Sequence, residues 1–147
     1  MLFRSAVERA RAAAEQHTVT VNVDKGPGDL HIVGSHRQLV SAVANLLENA
    51  VKYSDEGSSV LVQSRRDDGS IEIVVTDTGV GIPARDIERI FERFYRVDRA
   101  RSRDTGGTGL GLSIVRHVAT NHGGEVAVQS REGEGSVFTM RLPAGES

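Results

Sequence analysis

Asn45, Asn49 and Lys52 stand at i, i+4 and i+7 in the segment from Leu39 to Tyr53, so on a helix they form one polar stripe. Asparagine is a mediocre helix former, and two on one face call for a reason beyond solvation. Mg²⁺ takes oxygen ligands, keeps several waters and bridges phosphates, and one amide oxygen from Asn49 suits that role. Lys52, one turn on, suits a phosphate as a point charge, and Tyr53 adds a hydroxyl. Taken singly, each of these is an ordinary solvated helix residue.

Three glycine clusters follow: Asp77-Thr78-Gly79-Val80-Gly81, then Gly106-Gly107, then Gly109-Leu110-Gly111. Asp77 ends an alternating apolar run, where a carboxylate suits an exocyclic amine. Gly79 and Gly81 let a flat ring approach the backbone closely. Gly107-Thr108-Gly109-Leu110-Gly111-Leu112 opens a helix, and a helix start offers free N–H groups to an anion. Between these clusters lies Phe91-Glu92-Arg93-Phe94-Tyr95-Arg96, a hydrophobic anchor whose Arg96 can reach a terminal phosphate if the loop after it closes. The combination points to a nucleotide.

The elements that must position these groups are legible in outline. Residues 2–16 read as an Ala-, Arg- and Glu-rich helix, and 18–23 as a strand. Lys25 to Asp29 is a turn, and Leu30 to Val33 a short strand. Ser35 caps a helix over 36–53, with Gln38 completing a capping box. Leu39, Val43, Leu46, Leu47 and Ala50 form its core stripe. Strands follow over 59–65 and 70–76, joined by the hairpin signal Arg66-Asp67-Asp68-Gly69. Pro83 starts a short helix over 84–91. Residues 98–108 are polar, charged and glycine-ended, and read as a mobile loop. A helix over 110–121 stops at His122-Gly123-Gly124, and a hairpin of strands 125–130 and 136–142 ends the chain. Mixed order with hairpins favours an α+β fold, a mixed or antiparallel sheet with helices on one face.

Composition narrows the classes. The chain has 147 residues, which fits one domain with one core. A net charge of −2 gives no basic footprint for nucleic acid. With no cysteine, neither disulfides nor zinc–thiolate sites are available. No apolar run approaches the ~20 residues of a membrane span, and no signal peptide is visible, so a cytoplasmic domain is expected. Gly79-Val80-Gly81-Ile82-Pro83-Ala84 loosely fits a dinucleotide fingerprint, but Pro83 is awkward there. No second parallel strand with a terminal acid follows. The P-loop pattern is absent.

Together the segments resemble the catalytic ATP-binding domain of bacterial sensor histidine kinases, in the GHKL superfamily with type II topoisomerases, a heat-shock chaperone and mismatch-repair ATPases. The likeness covers roughly residues 30–143. Asn45-Leu46-Leu47-Glu48-Asn49-Ala50-Val51-Lys52-Tyr53 looks like the asparagine box, and Asp77 to Ile82 like the first glycine box. Phe91 to Arg96 looks like the phenylalanine box, and Gly107 to Leu112 like the second glycine box. The resemblance implies a Bergerat-type two-layer α/β sandwich: five strands, three helices on one face, and an ATP lid over about 82–108. It places Asn49 at Mg²⁺, Asn45 in the triphosphate region, and Lys52 and Tyr53 at phosphate or ribose. It places Asp77 at the adenine amine and Arg96 at the γ-phosphate. Gly107, Thr108, Gly109, Leu110 and Gly111 wrap the phosphates, and Thr139 supports the adenine pocket. Asn45, Lys52 and Arg96 become the catalytic set.

The resemblance also implies partners. Residues 1–16 become the tail of a linker or dimerisation helix and 17–147 the catalytic domain. The phosphate acceptor is a histidine on a separate dimerisation domain, followed by a response regulator. The parent is expected to be a homodimer anchored in the bacterial inner membrane, and this piece a monomer. His17, His31, His36, His117 and His122 lack the acceptor's His-Glu/Asp context, so the chain is expected to bind Mg-ATP without phosphorylating itself. Clamp-type ATPases of the superfamily carry a glutamate four residues before the magnesium asparagine; here that residue is Asn45, against that alternative. A serine-directed anti-sigma kinase shares the boxes and differs in its acceptor. A module that only holds a partner would have no nucleotide affinity.

Overall fold

The computed structural model describes residues 2–24, 34–92 and 111–144. The elements run α1 (Leu2–His17), β1 (Thr20–Asp24), α2 (His36–Lys52), β2 (Ser59–Asp67) and β3 (Ser70–Asp77). A 3-10 turn (Ala84–Asp86) follows, then α3 (Gly111–Asn121), β4 (Glu125–Arg131) and β5 (Gly135–Pro143). The five strands lie in the order β1-β2-β3-β5-β4. β1 runs parallel to β2, and all other pairs are antiparallel. The helices pack on one face, giving the α+β two-layer sandwich with a mixed, mostly antiparallel sheet.

Period-two alternation builds the core. Val60 and Val62, then Ile73 and Val75, then Phe138, Met140 and Leu142 point to the helices and are essentially inaccessible. Leu39, Val43, Leu46, Leu47 and Ala50 of α2 meet them, as the helical spacing predicts. Ala6, Ala10 and Ala14 of α1 join the same cluster. The opposite sheet face is polar, with Arg65 Nε on Glu72 Oε1 at 2.6 Å and Arg141 Nη2 on Asp67 Oδ2 at 3.3 Å.

The local signals hold at the ends of α2 and α3. Ser35 Oγ accepts the Gln38 N–H at 3.2 Å, the Ser half of the capping box. Gly123 and Gly124 donate to the Thr120 and Ala119 carbonyls at 3.1 and 2.8 Å, the paired bonds of a Schellman stop.

Two boundaries differ. The β2–β3 hairpin turns on two residues, Asp68 (φ 50°) and Gly69 (φ 68°), so β2 runs on to Asp67, past the expected end at Arg65, while β3 starts at Ser70 as expected. The expected helix over 84–91 is only the 3-10 turn and a run of turns after it. Its bonds join residues three positions apart: Asp86 N to Pro83 O, Arg89 N to Asp86 O and Glu92 N to Arg89 O, each 2.9 Å. The segment has too little apolar periodicity to pay for a packed α-helix; Ile90 is buried, and the half-buried Phe91 meets Phe138 edge-on at 6.2 Å. The turn at 25–29, the strand at 30–33 and the loop at 98–108 lie outside the described residues.

Phe138, 1% exposed, is among the largest fully buried side chains of this core. Phe138→Ala is expected to lower unfolding free energy in urea titrations by about 3–5 kcal/mol. A loss under about 1 kcal/mol would mean that the Phe138–Phe91 packing is not what closes this end of the sandwich.

Candidate functional site

The site begins on α2, whose apolar stripe fixes which way its polar residues face. Asn45, Asn49 and Lys52 are half-buried along its other side. Asn45 Nδ2 donates to the Ser41 carbonyl at 2.8 Å, which sets the amide orientation and leaves Oδ1 to other partners. That oxygen faces the first residue of α3: a Cβ on Gly111 would lie 3.1 Å from Asn45 Oδ1. α2 and α3 therefore meet through Asn45 and Gly111, joining the asparagine stripe to the end of the glycine-rich segment.

α2 ends at Tyr53, and Ser54 Oγ donates to the Ala50 carbonyl at 2.7 Å to close the turn. The Asp77–Gly81 loop is fastened to this end. Val80 N–H donates to Tyr53 O at 3.1 Å, and a Cβ on Gly79 would sit 1.9 Å from the same oxygen. Only glycine permits that approach. On its other side the loop meets the β4–β5 hairpin. Gly133 N–H donates to Val80 O at 2.7 Å, and Gly81, at φ +73°, would carry a Cβ 2.1 Å from Arg131 O.

Asp77, the last residue of β3, is 4% exposed. Its Oδ1 accepts the Gly79 N–H at 3.0 Å. Burial pushes its pKa up, opposed by backbone hydrogen bonds from Gly79 and Ser136. A buried carboxylate with open acceptor capacity, walled by glycines, fits a flat ring bearing an amine. Among the described residues no group of three His, Cys, Asp or Glu side chains can hold a metal.

Thr139 does not join the site. It pairs with Val74 and Ala127 on the polar face of the sheet, beside Glu72, Gln129 and Val137. The physical reason is strand alternation: Phe138 and Met140 take the core face, so Thr139 between them cannot. The same count brings Ser136 inward, directly opposite Asp77 and 6% exposed. Counting by twos from Phe138 finds Ser136 in the sequence. Ser130, in register with Ser136, has no comparable signal. Arg96, Gly107, Thr108, Gly109 and Leu110 lie outside the described residues. No described helix is long and apolar enough to cross a membrane.

Asp77→Asn keeps an acceptor for the Gly79 N–H and removes the buried charge. Because the folded pKa is raised, folding is favoured while Asp77 is protonated. The cost is absent below the ordinary value of 3.8 and complete above the raised one. Asp77→Asn is therefore expected to melt above wild type at pH 7, with the gap closing as pH falls below 3.8. Thermal melts across pH check this; an unchanged or lower Tm at pH 7 contradicts it.

Residues 34–146 match the family model described as histidine kinase-, DNA gyrase B-, and HSP90-like ATPase. Sensor-like histidine kinase SenX3 of Mycobacterium tuberculosis (strain ATCC 25618 / H37Rv) is 51% identical over 143 residues, 97% of this chain but 35% of its own length. The chain thus spans about a third of that relative. Among solved structures, mycobacterial sensor histidine kinase MprB superposes with a TM-score of 0.83 at 30% identity, covering 99% of this chain and 97% of that one. Full-length ShkA in complex with AMPPNP gives 0.83 at 29% identity, covering 99% of this chain and 30% of that one. The fold, the order of its boxes and these likenesses agree: the chain belongs to the histidine kinase-, DNA gyrase B- and HSP90-like ATPase family, as a catalytic domain of the sensor histidine kinase kind.

Proposed function

We propose that this domain binds Mg-ATP and donates the γ-phosphoryl group to a histidine on a separate dimerisation domain of a longer, membrane-anchored homodimeric parent. A response regulator then receives the phosphate. Residues 1–16 would be the tail of the helix leading to the dimerisation domain. The observation that carries the reading is the Asp77 corner, where a buried acceptor is held beside the asparagine helix by the Gly79–Tyr53 approach. That AMPPNP occupies full-length ShkA, which shares this fold, supports the same reading.

In this reading Asp77 takes the adenine amine, with Gly79 and Gly81 against the ring. Asn49 would hold Mg²⁺, which neutralises phosphate charge when bound. Asn45, Lys52, Tyr53 and the Gly107–Gly111 segment surround the triphosphate, and Arg96 meets the γ-phosphate. Phosphoryl transfer needs chiefly positioning and charge stabilisation, which this set supplies. An acceptor imidazole nitrogen forms the new P–N bond as the bond from the γ-phosphorus to the β,γ-bridging oxygen breaks and ADP leaves.

Asn45 disfavours the clamp-type ATPase alternative. Its Nδ2 is committed to the Ser41 carbonyl, and a neutral amide cannot take a proton from water. With γ-labelled ATP, the isolated chain is expected to gain no stable label. Added to a histidine-bearing dimerisation domain, it is expected to label that domain in an acid-labile form. Acid-stable label would mean serine transfer, steady phosphate release without acceptor would mean a clamp-type ATPase, and either contradicts the proposal.

A further inference from the structure

One row of residues crosses the helix-facing side of the sheet at the Asp77 corner. Val60, Asp77, Ser136 and Ser130 stand directly opposite one another on β2, β3, β5 and β4. Directly opposed residues share a face, so the three polar side chains lie side by side.

Ser130 Oγ is a three-way junction. The Ile82 N–H donates to it at 2.7 Å, its own hydroxyl donates to the Gly135 carbonyl at 2.9 Å, and Ser136 Oγ lies 2.8 Å away. A serine hydroxyl has one hydrogen. The Gly135 carbonyl can only accept, so it takes the hydrogen of Ser130. Ser136 must then be the donor in the serine pair. Its own hydrogen is committed to Ser130, and only lone pairs remain to face the Asp77 side. Asp77 is likewise an acceptor toward its neighbours, taking the backbone N–H groups of Gly79 and Ser136.

We propose that Ser130 is a positioning residue that sets base specificity, by fixing the Ser136 hydroxyl as an acceptor beside Asp77. This rests on the nucleotide reading given above. With both side chains accepting, the corner favours a purine edge that donates, the exocyclic amine of adenine. It disfavours the 6-oxo group of hypoxanthine, which finds no donor from Ser136. Ser130 sits on the strand beyond Ser136 and acts through it. Its bond to Ile82 also holds the loop, but that contribution applies equally to any nucleotide.

The ratio of affinities for ATP and inosine triphosphate separates the two effects. Calorimetric titration of the full chain with each nucleotide in Mg²⁺ is expected to show a clear preference for ATP in wild type. In Ser130→Ala the Ser136 hydroxyl is released to donate, and that preference is expected to fall about fivefold, the scale of one hydrogen bond. Ser130→Thr keeps a hydroxyl and is expected to keep the ratio. Ser136→Ala leaves the bonds of Ser130 to Ile82 and Gly135 in place and is expected to lower the preference by a similar factor, with Asp77 still favouring the amine. A wild-type preference that survives in Ser130→Ala, with both affinities unchanged or weakened equally, overturns the inference alone. So does a preference undiminished in Ser136→Ala, the decisive variant if Ser130→Ala does not fold. A wild type that binds neither nucleotide overturns the nucleotide reading together with the inference.

Discussion

The backbone of Gly79 lies so close to the carbonyl of Tyr53 that no side chain fits between them. That approach joins the C-terminal end of α2 to the end of β3, and so brings the asparagine stripe and Asp77 into one site. Val80 reinforces it with a hydrogen bond to the same Tyr53 oxygen. The β4–β5 hairpin closes on the loop from the other side through Gly133 and Ser130. Sheet, central helix and hairpin therefore share one small junction, and the proposed nucleotide site lies there.

The junction holds a carboxylate where the core would favour an apolar group. Burial raises the pKa of Asp77, and two backbone hydrogen bonds offset only part of that cost. A fold selected for stability alone would gain by replacing it. A buried carboxylate in a corner lined by close-packed glycines is the kind of departure from consistency that functional sites show.

Much of this was legible in the sequence because it rests on local signals. The apolar spacing of Leu39, Val43, Leu46, Leu47 and Ala50 set the face of α2, and with it the face of Asn45 and Asn49. The Ser35 cap and the Gly123–Gly124 stop were equally local. The misreadings have physical causes. The segment after Pro83 coils through bonds spanning three residues, because a few apolar side chains cannot stabilise an α-helix. The Ser136-Val137-Phe138-Thr139-Met140 segment points to Thr139 as a motif, but strand alternation puts Ser136 on the Asp77 face in its place. Ser130 could not be read, because its importance comes from the register of β4 against β5, a long-range property. Arg96 and Gly107 to Leu110 lie outside the described residues, so their part rests on the family likeness.

The most direct measurement is a calorimetric titration with a non-hydrolysable ATP analogue, with and without Mg²⁺, on wild type and on Asp77→Asn. The wild type should bind, more tightly with Mg²⁺. The substitution should weaken binding at least about tenfold, as expected for losing a hydrogen bond to a charged group. Absence of binding, or binding indifferent to both Mg²⁺ and Asp77, would contradict a nucleotide site at this junction.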